Sequence, residues 1–377
     1  MGSLICIQHN KTYDAGPKII NYLNPDFIYI PYEKGFKLNI KTKEKVLKES
    51  ILLTKDNKYI YSPISGVILG ATKMIIDKQK VPCIVIENDF KEKLNKITPA
   101  KKSVYNYQKD EVNKLIKEYN AFNKNLDGNT ILINGIDLEI YEETYKTIIS
   151  KYSSEILETI DAIYDIFKYH KCIFVIKNND SEIIEKLVYQ IGTYPNIELK
   201  LMPDLYPLGH KDILIDELNL LKNNNKITYL TIEDVLAIYN VLRKKKPITE
   251  KIITVSGNAI EKAKVINVKI GTSLKDILNN NNIKIINDNY KIIINGLLSG
   301  YEVESKDIVI TKKIKSIFIN LLDQEEAKEC INCGLCHRKC PVGCDVRNNF
   351  KLEKCINCGI CTYICPSKIN FKDKKVK

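Results

Sequence analysis

The alternation of apolar and polar positions changes rhythm several times along the chain. Between Phe27 and about Asp89, short apolar runs such as Phe27-Ile-Tyr-Ile30, Ile51-Leu-Leu53, Tyr59-Ile-Tyr61 and Val67-Ile-Leu69 are separated by turn residues, including Lys55-Asp-Asn-Lys58 and Ser65-Gly66. That rhythm predicts a small all-β unit. A lysine-rich link at Lys101-Lys102 and a polar helix over 110–119 follow. The spacing then becomes three and four: Tyr145, Ile148, Ile149, Tyr152, Ile156, Ile160, Ile163 and Phe167 mark one face of a long helix. It lies between strand candidates at 131–134 and 172–176. A helix opening at Asp180-Ser181 turns Ile183, Ile184, Leu187, Val188 and Ile191 inward and leads to a strand at 197–202. Strand–helix–strand units in series imply a parallel sheet with right-handed crossovers.

Thr231-Ile-Glu-Asp234 reads as a capping box opening a helix that carries Val235, Leu236, Ile238, Tyr239 and Leu242. Lys244-Lys245-Lys246-Pro247 closes it, the basic run complementing the helix C-terminus. After a strand at 251–255, further strands at 265–270 and 291–294 around a short helix at 273–278 and an asparagine loop at 279–282 predict a compact α+β module. From about Gln324 the apolar period stops and cysteine takes over.

The tail contains Cys330-Ile-Asn-Cys333-Gly-Leu-Cys336-His-Arg-Lys-Cys340-Pro341 and then Cys355-Ile-Asn-Cys358-Gly-Ile-Cys361-Thr-Tyr-Ile-Cys365-Pro366. Three thiolates at intervals of three residues wrap one face of a [4Fe-4S] cube, and the fourth, just before proline, starts a segment that leaves it. Gly334 and Gly359 lack a Cβ and so let the backbone approach a cluster, while Pro341 and Pro366 end each wrap. The motif resembles that of two-cluster ferredoxins, in which the fourth cysteine binds the other cluster. The resemblance assigns Cys330, Cys333, Cys336 and Cys365 to one cluster and Cys355, Cys358, Cys361 and Cys340 to the second. Zinc is the competing reading, a scaffold without redox activity, but zinc ligand pairs are usually separated by long spacers. Cys344 is left over as a spare thiol or alternate ligand.

Composition narrows the function classes. A chain of 377 residues with 44% hydrophobic content can bury cores for two to four domains. Cys6, Cys83 and Cys172 are scattered in apolar segments, which predicts reduced, buried thiols and a cytoplasmic setting. No apolar run is long enough to span a bilayer, and the first residues lack a secretory signal pattern. The net charge of +12 suits an acidic redox partner, yet Arg243, Arg338 and Arg347 are the only arginines. That scarcity argues against sequence-specific nucleic-acid binding. The histidines, His9, His170, His210 and His337, form no metal spacing.

With these segments in order, the whole chain resembles the C subunit of the Rnf electron-transport complex and its soluble relatives, the proline reductase-associated electron-transfer protein and the cobalamin reductase of propanediol metabolism. The matching stretches are Ser62-Pro-Ile-Ser-Gly-Val67, Cys83-Ile-Val-Ile-Glu-Asn-Asp89, Ile133-Asn-Gly-Ile-Asp-Leu-Glu-Ile-Tyr141, Leu205-Tyr-Pro-Leu-Gly209, Ile253-Thr-Val-Ser-Gly257 and the cysteine tail. The resemblance implies a multidomain α+β chain. It comprises a barrel-sandwich hybrid domain like lipoyl domains (1–98), an α/β domain like the NADH- and FMN-binding subunit of complex I (99–257), an SLBB β-grasp module (258–323) and a two-cluster ferredoxin-like domain (324–377). Lys55 and Lys58 lack the flanking pattern of a carrier lysine and read as solvated turn residues.

One departure bears on cofactors. Flavin-binding members carry a glycine-rich loop before the strand at 131–134, where this chain has Tyr119-Asn-Ala-Phe-Asn-Lys-Asn-Leu-Asp-Gly-Asn-Thr130. Such a loop offers consecutive N–H groups to phosphate, and Gly128 alone does not. Leu138 and Ile140 replace small or proline residues, and Asn223-Asn224-Asn225 stands where the family is glycine-rich. Glu139 is the candidate ribose contact, with a satisfied surface carboxylate at a strand end as the plainer reading. The expectation is therefore two [4Fe-4S] clusters, with FMN and NADH binding lost or weak. The chain would relay single electrons between redox proteins such as a ferredoxin, a flavoprotein or a reductase like proline reductase. It would be cytoplasmic, or peripheral on the inner face of the membrane in an Rnf-type complex. An FMN-dependent, NADH-oxidising subunit is the alternative.

Overall fold

The computed structural model describes residues 4–7, 10–56, 58–95, 103–221, 225–281, 283–322 and 326–372. His9, the Lys101-Lys102 link, Asn223, Asn224, Asn282 and Gln324 lie outside the described residues.

After Ile19–Tyr22 (β1), the early part of the chain is all β: Phe27–Pro31 (β2), Lys37–Leu38 (β3), Lys45–Val46 (β4), Ile51–Lys55 (β5), Lys58–Tyr61 (β6), Gly66–Ile76 (β7) and Gln79–Asn88 (β8). They form two antiparallel sheets, in the orders β2-β8-β7-β4 and β3-β5-β6. Alternate residues of both sheets, among them Ile28, Ile30, Leu52, Ile68, Ile84 and Ile86, meet in one core, as period-two patterning requires.

The middle of the chain builds a parallel sheet from Thr130–Asn134 (β9), Lys171–Lys177 (β10), Ile197–Met202 (β11) and Ile227–Thr231 (β12), ordered β11-β10-β9-β12. Ile131, Ile133 and Phe174 face the helices Lys109–Glu118 (α1), Thr144–Phe167 (α2), Ser181–Ile191 (α3) and Ile232–Lys244 (α5). Leu132, Ile173 and Val175 face Lys211–Glu217 (α4). Both faces are covered, so every residue of β9 is buried. The capping box at the start of α5 is formed, with Thr231 Oγ1 and the Asp234 carboxylate each satisfying the other's backbone N–H. Helix α3 differs from the pattern expected for it: Ile183 and Leu187 are buried but Val188 is 56% exposed. The helix offers the sheet only a narrow stripe, and the residue after Leu187 points about 100° away from it.

A six-stranded mixed sheet follows, made of Glu250–Ser256 (β13), Lys264–Lys269 (β14), Tyr290–Ile294 (β15), Tyr301–Val303 (β16) and Ser316–Leu321 (β17) together with β1, and helix Leu274–Asn280 (α6) packs on it. Its order is β1-β14-β13-β17-β15-β16, so Ile19–Tyr22 pairs with a strand far along the chain, in register Ile19↔Val265. The strand at 251–255 thus joins this sheet and not the parallel one. Lys269 is fully buried here, 2.9 Å from Glu250 directly across the ladder, and Lys246 lies 3.0 Å from the same carboxylate. Burial alone would raise the Glu250 carboxyl, but the two lysines hold it down to about 2. Lys48 of the β unit neighbours this group and pairs with Glu92.

The remaining thiols are partly as expected from their segments. Cys83 and Cys172 are buried, and burial pushes their thiols up to about 11 and about 12. Cys6 is exposed instead, because its segment meets the rest of the molecule through a backbone bridge from Ile5 to Tyr206 that leaves the next side chain outside.

Candidate metal centre

The two cysteine repeats fold alike. In each Cys-Ile-Asn-Cys-Gly stretch the asparagine and the glycine take left-handed backbone: Asn332 at φ +53° and Gly334 at +73°, Asn357 at +56° and Gly359 at +75°. The glycines open the one-turn helices Leu335–Arg338 (α7) and Ile360–Tyr363 (α8), which pack on each other. Asparagine is the non-glycine residue that tolerates this conformation best. Its repetition at 332 and 357 was a readable signal that sequence reasoning passed over.

Two cavities result. Cys330, Cys333, Cys336 and Cys365 line one, of about 280 Å³ counted to its open mouth, together with Gly334, Arg347, Pro366 and Phe371. Cys340, Cys355, Cys358 and Cys361 line the other, of about 310 Å³ counted in the same way, which Cys336 and Cys344 also border. The last cysteine of each repeat therefore sits with the first three of the other.

Backbone donors reach the sulfurs. The Cys344 N–H donates to Cys340 Sγ at 3.2 Å and the Asn357 N–H to Cys355 Sγ at 3.4 Å. Such bonds favour the thiolate and tune a bound cluster. Cys344 itself is 1% exposed, and its thiol donates to the Lys351 carbonyl at 3.1 Å, which gives it a structural use. His337 is half-buried, with Nδ1 3.2 Å from the Cys344 carbonyl oxygen. Among the described residues, no group of three or more His, Cys, Asp or Glu side chains lies close enough together to hold a metal ion. Four cysteines around each hollow, and in the second the amides directed at sulfur, suit a cubane cluster, whose iron takes cysteine thiolates.

A larger hollow of about 1310 Å³, counted to its open mouth, lies at the carboxyl ends of β9, β10 and β11, where open α/β sheets bind ligands. Its chemistry does not suit a phosphate-bearing flavin. The N-terminus of α2 is taken by the Asp137 carboxylate, which accepts from the Tyr145 N–H at 2.7 Å and the Lys146 N–H at 3.3 Å. Burial, with Glu142 beside it, raises the Asp137 carboxyl. Lys146 and Lys177, which line the same hollow, pair with Asp180 at 3.1 Å and Asp204 at 2.7 Å. Gly128 belongs to another end of the sheet, where its N–H donates to Thr228 and any Cβ would meet the Lys226 carbonyl at 2.6 Å.

Glu139 is not a surface carboxylate. It is 4% exposed and accepts from the N–H groups of Leu298 at 2.9 Å and Ser299 at 3.2 Å. Gly296 is glycine because a Cβ there would lie 2.0 Å from the Glu139 side chain. Tyr206 Oη sits 2.6 Å from Glu139 Oε1 and 2.6 Å from the carbonyl oxygen of Cys358. The phenol's one proton has two acceptors within reach, the Glu139 carboxyl and the Cys358 carbonyl. Burial pushes the Glu139 carboxyl up to about 7 despite the donors around it, Tyr206 among them. Sequence reasoning missed Tyr206, which lies in the Leu-Tyr-Pro-Leu-Gly stretch. His210, four residues on, stands at the N-cap position of α4 without a side-chain capping bond, and burial lowers it to about 4.

The fold and the two thiol-lined cavities define an iron–sulfur electron-transfer class. Residues 295–375 match the 4Fe-4S dicluster domain, and residues 120–243 match the Nuo51 FMN-binding domain. More particularly, the chain is similar over most of its length to proteins named as the C subunit of the ion-translocating oxidoreductase complex. The one from Buchnera aphidicola is 26% identical over 339 residues, covering 81% of this chain and 70% of that protein. Those from Serratia proteamaculans and Vibrio cholerae are 22% and 23% identical, each covering 88% of this chain, so that the chain spans about half of their length, 52% and 47%. Among solved structures, an NAD+-reducing [NiFe]-hydrogenase in the air-oxidised state overlaps 62% of this chain and 48% of its own at 12% identity, with a TM-score of 0.44. Among the described residues, no helix is long and apolar enough to cross a membrane.

Proposed function

We propose that this chain relays single electrons between protein partners through two [4Fe-4S] clusters, one held by Cys330, Cys333, Cys336 and Cys365 and the other by Cys355, Cys358, Cys361 and Cys340. The crossed grouping of these cysteines around two cavities carries the reading. The clusters supply one-electron chemistry. The protein's own residues place them, direct amides at Cys340 and Cys355 of the second and shield Cys336, Cys358 and Cys361, which are each under 10% exposed. No substrate bond is made or broken.

The finer organisation is part of the same proposal. Residues 1–98 form a barrel-sandwich hybrid, 99–257 an α/β domain of the complex I flavin type, 258–323 an SLBB module and 324–377 the cluster domain. The two antiparallel sheets, the parallel sheet and the mixed sheet support this division, although β1 and β13 both cross it to pair with β14. The relatives' names support an ion-translocating oxidoreductase complex as the setting, and the proposal further takes the chain as cytoplasmic or peripheral on the inner face of the membrane in an Rnf-type complex, with a ferredoxin, a flavoprotein or a reductase such as proline reductase as donor or acceptor.

A flavin-dependent NADH-oxidising subunit is the second reading, favoured by the match of 120–243 and by the position, though not the lining, of the hollow at the sheet's carboxyl ends. Anaerobic purification decides between them. The relay predicts iron and acid-labile sulfide for two cubanes and no FMN on denaturation. Stoichiometric FMN with NADH oxidation supports the second reading, and colourless protein containing zinc overturns both.

A further inference from the structure

Three parts of the fold meet at one buried point. Glu139 follows β9 of the parallel sheet, Leu298 and Ser299 belong to the turn after β15 of the mixed sheet, and Cys358 and Gly359 come from the second cysteine repeat. Tyr206 binds all three together: its hydroxyl lies 2.6 Å from both Glu139 and the Cys358 carbonyl oxygen, and its backbone exchanges hydrogen bonds with Ile5 at 2.9 Å. Its ring packs with Leu298, Cys358 and Ile360. The contact between turn and repeat is so close that a Cβ on Gly359 would lie 2.0 Å from the Leu298 carbonyl oxygen. The equivalent cysteine of the first repeat, Cys333, has different surroundings, beside Arg347 and Ile331, the latter 68% exposed.

Resting on the two-cluster reading, we propose that Tyr206, held by Glu139, is a positioning residue for the cluster of Cys355, Cys358, Cys361 and Cys340, fixing its loop and setting its potential apart from that of the other cluster. The physical basis is the direction of the phenol dipole. An O–H donated to the carbonyl of a ligand residue turns its positive end toward the cluster and favours the added electron of the reduced state. Hydrogen bonding and burial near the sulfurs are the protein's main levers on such potentials. The phenol reaches one cluster only.

The test is a redox titration, followed by electron paramagnetic resonance, of the full chain purified anaerobically with its clusters. In Tyr206→Phe the ring stays and the donor goes. One of the two clusters should become harder to reduce by up to about tenfold in its equilibrium constant, which is about 59 mV for a one-electron couple, while the other keeps its potential. Replacing Tyr206 by a fluorinated tyrosine keeps the shape and strengthens the donor, so the same cluster should shift the opposite way; a residue that only packs would not produce that reversal. Unchanged potentials in both variants, or equal shifts of both clusters, overturn the proposal. If Tyr206→Phe fails to retain iron, the fluorinated protein alone decides. A wild-type protein without iron would instead refute the relay itself.

Discussion

At the residue scale, burial decides what each carboxylate does. Glu139 reads in the sequence as a strand-end acid that could face a ribose, but its oxygens are committed to Leu298, Ser299 and Tyr206. Nothing local in the sequence shows this, because its partners lie 67 to 160 positions away. Its carboxyl is raised from 4.5 to about 7, so the folded state holds its proton more tightly than the unfolded chain does. Stability from this group is therefore full below about pH 4.5 and lost as pH rises to about 7, the reverse of a salt-bridged acid. Glu139→Gln should flatten that part of the pH–stability curve, as urea midpoints measured between about pH 5 and 8 would show. Gly359→Ala should be far more damaging, since the new methyl would meet the Leu298 carbonyl and φ is +75°. The expected outcome is loss of roughly half the iron, one of two cubanes, read by metal analysis.

At the element scale, most helices and strands were legible because their periods are long and their caps local. The capping box at Thr231 and Asp234 and the cap of α3 at Asp180 stand where the residues put them. Thr231→Ala should cost about 0.5–2 kcal/mol, measurable as a lower thermal midpoint with iron content unchanged. What local pattern could not give was the partner of each strand. Ile19–Tyr22 carries no mark of its pairing with Lys264–Lys269, and Glu250–Ser256 has the same apolar character as the strands of the parallel sheet that it does not join. Val188 went astray because helical spacing marks a stripe without saying how wide a neighbour will cover it.

At the scale of the whole molecule, buried polar groups fasten the parts together. The Lys269–Glu250–Lys246 group ties the end of α5 to the mixed sheet and borders Lys48 of the N-terminal sheets. Glu250→Gln would leave Lys269 buried without its counter-charge and should cost about 3–5 kcal/mol. Because Glu250 is held down to about 2 in the fold, its contribution is complete above about pH 4.5 and disappears as pH falls toward 2. The gap between wild type and variant in a denaturation series should close over that range. The cysteine tail was the most readable part of the site, since ligand spacing is itself a local property. The hollow at the sheet's carboxyl ends was the least readable, because it depends on which carboxylates fold into it.

The account stands on two iron–sulfur cubes held by cysteines drawn crosswise from both repeats. Its most direct test compares the iron and sulfide bound by the anaerobically isolated chain with those bound by Cys365→Ser and Cys340→Ser. The prediction is two cubanes in the wild type, with Cys365→Ser disturbing the resonance of the cluster at Cys330, Cys333 and Cys336, and Cys340→Ser that of the cluster at Cys355, Cys358 and Cys361. Protein that carries no iron after reconstitution, or variants that each disturb the cluster of their own repeat, would contradict it.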